Sequence, residues 1–276
     1  MSKFITTWLV LLLVSVNTRA QQTIIPIEIS DYGLLFTEIS VNGKQVKAMI
    51  DFGDPHKLML SGTLVESLNI ATTKSDKVGY NINGEELAFF NGTAEALHVH
   101  GKRLHQVDFA SSPGEMEGVS EQIGTHFDAA LGWGFFGSQP FVLDYSQKQI
   151  TLLDPESEPK AAGLEVRFDR TGSYMLIDAD FGSKKGKLLV DTGAPGSSIH
   201  QDYLDVPATG TNEYGQPYQQ VKTMLDNQSF NIDFEQRDLS VLEPLKAVGI
   251  LGGDVLRQYR ITLYPDSEKM YWQPVE

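Results

Sequence analysis

The chain contains no cysteine. That absence removes disulfides, thiol nucleophiles, zinc–thiolate sites and a lipid-modified cysteine from consideration, and leaves the fold to be held by its core alone. Basic residues are also few: 22 Lys and Arg stand against 36 Asp and Glu, a formal charge of −14. Such a surface repels nucleic acid and anionic membranes, so neither is expected as a partner. Long hydrophobic runs are missing too. The apolar stretch Trp8 to Val16, in "MSKFITTWLVLLLVSVNTRA", is shorter than the about 20 residues that span a bilayer. With Lys3 before it and Thr18-Arg19-Ala20 after it, residues 1–20 read as a secretory signal peptide cleaved near Ala20, an uncleaved anchor being the alternative. Cleavage removes two positive charges and takes the mature chain to −16. An exported chain without disulfides fits a bacterial periplasm or secretion from a bacterium, away from the membrane once the signal is cut.

Helical periodicity is scarce. Short apolar runs punctuated by Gly, Asn and Asp, such as "LLFTEISV", "KQVKAMID", "FVLDY", "KQITLLD" and "YRITLY", make the chain mainly β. Asn42-Gly43 between two alternating runs predicts a two-residue hairpin turn. Two short helices are expected, one in "GTLVESLNI" and one around Val255 to Tyr259.

The chain also resembles itself. "GWGFFGSQPFVLDYSQKQITLLD", from Gly132, lies without a gap over "GGDVLRQYRITLYPDSEKMYWQP", from Gly252, at an offset of 120. The pair Ala130-Leu131 precedes the first block and Ile250-Leu251 the second. "EISVNGKQVKAMIDFGDP" lies over "DADFGSKKGKLLVDTGAP" at an offset of 140, which puts Asp51 over Asp191. Two blocks repeated in the same order predict an internal duplication. The expected division is a first lobe over residues 21–155 and a second over 156–276, with the polar segment 154–163, "DPESEPKAAG", as the link.

The segment "KLLVDTGAPGSSIH", an apolar strand ending in Asp191-Thr192-Gly193-Ala194, is followed some 60 residues later by Ile250-Leu251-Gly252. This pattern resembles the aspartic proteases, both pepsin-like and retropepsin-like, and through the repeat the resemblance covers nearly all of the mature chain. It implies an all-β fold of two β-barrel lobes with few short helices, and a peptidase acting on a peptide or protein. It further implies a catalytic dyad of Asp191 and Asp51, with Ile250, Leu251 and Gly252, and Ala130, Leu131 and Gly132, passing beside the active-site loops. Gly193 and Gly53 allow the tight turns that expose each carboxylate. Two carboxylates held close share one proton, because like charge prevents both from ionising, and the pair can then deprotonate a water and protonate a carbonyl. No cofactor and no metal are expected. A monomer is expected; the alternative is a homodimer pairing Asp191 with Asp191 of a second chain.

The first copy departs from the pattern in three places. Phe52 stands where a Thr or Ser hydroxyl would reach the opposite loop, as Thr192 can, so that interface is expected to rearrange or to admit a water. Asp54 stands where Ala194 stands, and either turns towards the dyad as a third negative charge or turns away to cap its own turn before Pro55. Lys57 replaces Ser197. These changes favour, as the alternative function, a catalytically impaired protein that keeps the fold and binds peptides.

Other motifs carry less. Gly132-Trp133-Gly134-Phe135-Phe136-Gly137 matches a nucleotide fingerprint but lacks a βαβ setting. His98-Val99-His100, if on a strand, puts two imidazoles on one face near His105, without a carboxylate at a supporting spacing. "GYNINGEELAFF", turning at Asn83-Gly84, is a candidate flap hairpin with Tyr80 as a substrate contact.

Overall fold

The computed structural model describes residues 22–81, 84–156, 162–171, 173–205, 207–212 and 215–275, so the expected signal segment, Asn83 and residues 157–161 of the expected link lie outside it. Strands dominate, as the apolar patterning predicts. In the first half they are β1 (Thr23–Pro26), β2 (Glu28–Ile29), β3 (Leu35–Val41), β4 (Lys44–Asp51), β5 (Met59–Leu60), β6 (Thr72–Tyr80), β7 (Glu86–Val99), β8 (Lys102–Ser111), β9 (Ala129–Gly132), β10 (Phe141–Asp144) and β11 (Gln149–Leu152). In the second half they are β12 (Leu164–Arg167), β13 (Asp169–Thr171), β14 (Tyr174–Asp180), β15 (Lys185–Val190), β16 (Ser198–His200), β17 (Gly210–Thr211), β18 (Pro217–Leu225), β19 (Gln228–Arg237), β20 (Ala247–Leu251), β21 (Tyr259–Tyr264) and β22 (Lys269–Pro274). Short helices are α1 (Gly62–Ser67), α2 (Glu115–Ile123), α3 (Trp133–Phe136) and α4 (Gly253–Leu256).

Two eight-stranded sheets run in the orders β2-β3-β4-β9-β5-β8-β7-β6 and β13-β14-β15-β20-β16-β19-β18-β17. Pairing of β3 with β7 closes six strands of the first sheet into a ring, and pairing of β14 with β18 does the same in the second. Closure hides edges that would otherwise template aggregation. The third sheet, β1-β11-β10-β21-β22-β12, takes strands from both halves. At its centre β10 and β21 are antiparallel, and Val142 pairs with Thr262, 120 positions away. Apolar side chains beneath it join one large core, in which Trp272 has no exposed surface and contacts the rings of Phe230 and Tyr259.

Local chemistry explains the turns and caps. Asn42 and Gly43 have φ of 49° and 87°, the left-handed pair that a two-residue hairpin matching strand twist requires. Ser61 caps α1 by accepting from Leu64 N at 3.0 Å. The second expected helix is shorter than the sequence suggested: α4 ends at Leu256, and Tyr259 already opens β21. Helix α2 was missed by the sequence reading. Its signal was Met116, Val119 and Ile123, spaced three and four apart and packed on a satellite core with Phe36 and Phe127.

His100 is not on a strand. It lies in the turn after β7 with φ 41°, its Nε2 2.9 Å from Thr37 Oγ1, so the condition for a same-face histidine pair is not met. Among the described residues no three His, Asp or Glu side chains are grouped to hold a metal.

Replacing Trp272 with Ala would empty a fully buried site in the core between the halves. The expected loss is about 3–5 kcal/mol of unfolding free energy, read from the urea midpoint at unchanged m-value.

Candidate active site

Each half presents one aspartate by the same device. Strand β4 runs parallel to β9, with Asp51 paired to Gly132, and β15 runs parallel to β20, with Asp191 N donating to Leu251 O at 3.1 Å. Beyond each strand the loop is clamped to the segment after its partner: Trp133 N donates to Asp54 O and Gly253 N to Ala194 O, both at 2.8 Å. The approach is so close that a Cβ on Gly132 would lie 2.3 Å from His56 O, and one on Gly252 2.4 Å from Gly196 O. The two apolar-Gly segments therefore flank the aspartate loops, where the sequence reading expects them.

The carboxylates face each other across two glycines. A Cβ on Gly53 would fall 2.5 Å from Asp191 Cγ, and one on Gly193 2.7 Å from Asp51 Cγ. Only the missing side chains let the two groups meet. Each is also held by its own turn: Gly53 N donates to Asp51 Oδ1 at 2.8 Å, and Gly193 N to Asp191 Oδ1 at 2.7 Å. Asp54 N adds a longer bond to Asp51 Oδ1 at 3.2 Å.

Between the loops the buried Thr192 hydroxyl accepts from Phe52 N at 3.0 Å and donates to Ile50 O at 2.8 Å. Phe52 returns no hydroxyl. Its ring, 1% exposed, turns into the first half's core and lies 5.3 to 5.8 Å from the rings of Trp133, Phe136 and Phe141. One loop is thus fastened by a hydroxyl and the other by aromatic packing. A second asymmetry lies at Lys57: the corresponding Ser197 accepts from Gly252 N at 3.0 Å and donates to Asp254 Oδ1 at 2.7 Å, a link that lysine cannot copy.

Asp54 does some of both things expected of it. Its Oδ1 accepts from His56 N at 2.8 Å and lies 2.7 Å from His56 Nδ1, so it caps its own turn. Its charge still acts on the dyad. Burial, then Asp191, then Asp54 hold the Asp51 carboxyl well above the usual carboxylate range. Burial also raises Asp191, against the opposing hydrogen bonds from Asp51 and from the backbone of Gly193, Ala194 and Gly53. Such a pair keeps a proton after exposed carboxylates have lost theirs.

Three further residues reach this site, and the sequence reading singled out none of them. His56 lies with its ring centroid 5.8 Å from that of Phe89 on β7. Glu115, first residue of α2, is half-buried and raised by burial and by Asp54. Tyr174, from the start of β14, is raised by burial, then by Asp54 and Asp51. The signal for His56 was its place two residues after Asp54, where an Asx turn puts a backbone donor; Glu115 and Tyr174 approach only through the fold. Tyr80, the expected flap contact, ends β6 with 55% of its surface exposed rather than packed on the dyad. Its hairpin is real: Asn81 N donates to Glu85 O and Gly84 N to Asn81 O, while Asn83 lies outside the described residues. A groove of about 1010 Å³ lined by β7, β8 and the segment after α1 touches the dyad loop at His56 and Lys57 and includes neither Asp51 nor Asp191.

Thr192→Val would leave the buried Phe52 N–H without its acceptor, at an expected cost of about 1–3 kcal/mol in urea unfolding. The dyad also sets a sign for stability against pH. Both carboxyls hold their proton more tightly folded than unfolded, so their contribution is full below the ordinary carboxylate range and is lost as pH rises through their raised values. Asp51→Asn is expected to flatten that decline in urea midpoints measured across the same range. Comparison with models of known protein families gave no match, and a search of curated proteins found no similar sequence.

Proposed function

We propose that the chain is an exported aspartic-type endopeptidase of bilobal pepsin-like or retropepsin-like architecture, its lobes at 21–155 and 156–276 related by internal duplication. The observation that carries this reading is the reciprocal seating of each carboxylate against the opposite loop's glycine. The equal order of strands in the two closed sheets supports the duplication. One proton shared between Asp51 and Asp191 leaves one carboxylate to take a proton from a bound water as it attacks the scissile carbonyl. The other carboxyl gives its proton to the carbonyl oxygen, producing a neutral tetrahedral diol. The protonated carboxyl then gives its proton to the departing nitrogen while the other carboxylate takes one from a diol hydroxyl, which breaks the carbon–nitrogen bond, leaves a carboxylic acid and an amine, and restores the shared-proton state.

A specific observation favours a second reading. Asp54 adds negative charge beside Asp51, and a dyad protonated on both carboxyls has no base. In that case the same cleft binds peptides without cutting them.

Peptide cleavage on the acid side of neutrality is expected, and either Asp51→Asn or Asp191→Asn should lower kcat by about 10²–10⁴-fold or more in a quenched-peptide assay. Peptides that remain intact with wild type from acid to neutral pH, yet bind, would establish the second reading instead. Asp54→Ala copies Ala194 and removes a charge that raises the dyad, so both limbs of the activity profile should move to lower pH. An unmoved profile would show that Asp54 does not tune the dyad.

A further inference from the structure

The two aspartate loops are fastened to their neighbouring helices in different ways. In the first half Gly134 of α3 comes so close to the loop that a Cβ there would lie 2.7 Å from Lys57 N and 2.8 Å from Pro55 O, so backbone packs on backbone. In the second half the repeat places Asp254 where Gly134 stands and Ser197 where Lys57 stands. Side chains bridge the space there. The Ser197 hydroxyl accepts from Gly252 N at 3.0 Å and donates to Asp254 Oδ1 at 2.7 Å, while Asp254 N donates to Pro195 O at 2.9 Å. Ser197 is 1% exposed, so water does not compete for its bond to Asp254.

Asp254 is also anchored from behind. It belongs to α4, and Gln258 Nε2 donates to its carbonyl oxygen at 2.9 Å. Helix α4 in turn abuts the first half: a Cβ on Gly253 would lie 3.8 Å from Gly33 O, and one on Gly33 3.4 Å from Arg257 Nη1. Burial raises the Asp254 carboxyl, against hydrogen bonds from Ser197 and Val255 and the charge of Arg257. One carboxylate thus ties the Asp191 loop to Gly252 beside it and, through α4, to the loop before β3. An acid that merely complemented its own helix end would have no use for Ser197.

We infer that Asp254 is a positioning residue for the dyad, holding through Ser197 the loop that sets Asp191 against Gly53. This role rests on the peptidase reading above. The loop from Thr192 to Ser197 contains no aromatic side chain that could seat it as Phe52 seats the first. Asp191 Oδ1 accepts from Gly193 N at 2.7 Å, a bond made by the same loop. Without the Ser197 to Asp254 bond the loop loosens, that amide contact weakens, and the Asp191 carboxyl holds its proton more tightly.

The test compares the mature protein with Ser197→Ala, Asp254→Ala and Asp254→Asn. In a quenched-peptide assay Ser197→Ala and Asp254→Ala should each lower kcat about 10- to 100-fold with KM changed less than about threefold. The acid limb of the activity profile should move to higher pH by roughly half a unit in both. The double alanine variant should be no worse than the single ones. Asp254→Asn keeps an oxygen for Ser197 and should recover most of the loss. Partial unfolding would scale kcat alike at every pH and leave that limb in place. A second readout needs no substrate. In ¹³C-carboxyl NMR of labelled Asp, with the dyad signals assigned by their absence from Asp51→Asn and Asp191→Asn, the first apparent midpoint of the pair should rise in Ser197→Ala and stay in Asp254→Asn. An unmoved limb and midpoint in Ser197→Ala, or an Asp254→Asn as impaired as Asp254→Ala, overturns the positioning role and leaves the peptidase reading intact. A wild type that cuts no peptide, with a midpoint that still rises in Ser197→Ala, does the reverse. No cleavage and no rise overturn both.

Discussion

Two carboxylates held face to face inside a protein repel one another, and in this chain backbone amides meet that repulsion. Among the described residues neither aspartate forms an ion pair with a lysine or arginine; each is met by amide N–H groups of its own turn and by the space a glycine leaves opposite. Those glycines are in place because each loop is clamped to the segment beside it, and those segments are in place because β9 and β20 are central strands of closed sheets. Sharing a proton is the state that such containment favours, since a single negative charge is far easier to bury than two. Two links join the halves here: the antiparallel pairing of β10 with β21, and the Thr192 hydroxyl bonded to Phe52 N and Ile50 O.

The two loops reach the same geometry by different chemistry. In the second, hydroxyls do the fastening: Thr192 reaches across, and Ser197 ties the loop to α4. In the first, Phe52 exchanges a directional bond for a cluster of four aromatic rings, and Asp54 takes over the local capping. Burying a phenylalanine stabilises by about as much as several such hydrogen bonds together, so the loop is not loosened by the loss of its hydroxyl. Its electrostatics do change, because Ala194 has no charge and Asp54 has one. The result is a dyad whose halves are alike in shape and unlike in field.

Much of this was legible in the residues. The β content, the Asn42-Gly43 turn and α1 follow from alternation, turn preference and spacing, which depend on neighbours in sequence. The place of Ala130 to Gly132 and Ile250 to Gly252 beside the aspartate loops was implied by the resemblance to the aspartic proteases, carried to the first half by the repeat. What escaped depends on distance in space. Glu115 and Tyr174 come to the cleft from elements that are remote in the chain, and no local pattern marks either. Helix α2 was hidden because its apolar stripe is short and its ends are glycines, Gly114 and Gly124, both left-handed, which read as loop. The inward turn of Phe52 was hidden for a different reason: whether a side chain in a loop points to core or cleft is decided by the cavity that Trp133, Phe136 and Phe141 offer it.

The central sheet also has a consequence in time. Asp51 is set on its strand by residues up to about position 132, yet its partner waits for β20, and the two halves are joined through β21, which pairs with β10 and is backed by β22 ending at Pro274. A chain made from its N-terminus, or threaded through a translocation pore in that direction, therefore presents a solitary, unpaired carboxylate for most of its passage. If the paired dyad is what cuts, a nascent copy is harmless to itself and to its neighbours until those last strands have emerged and docked.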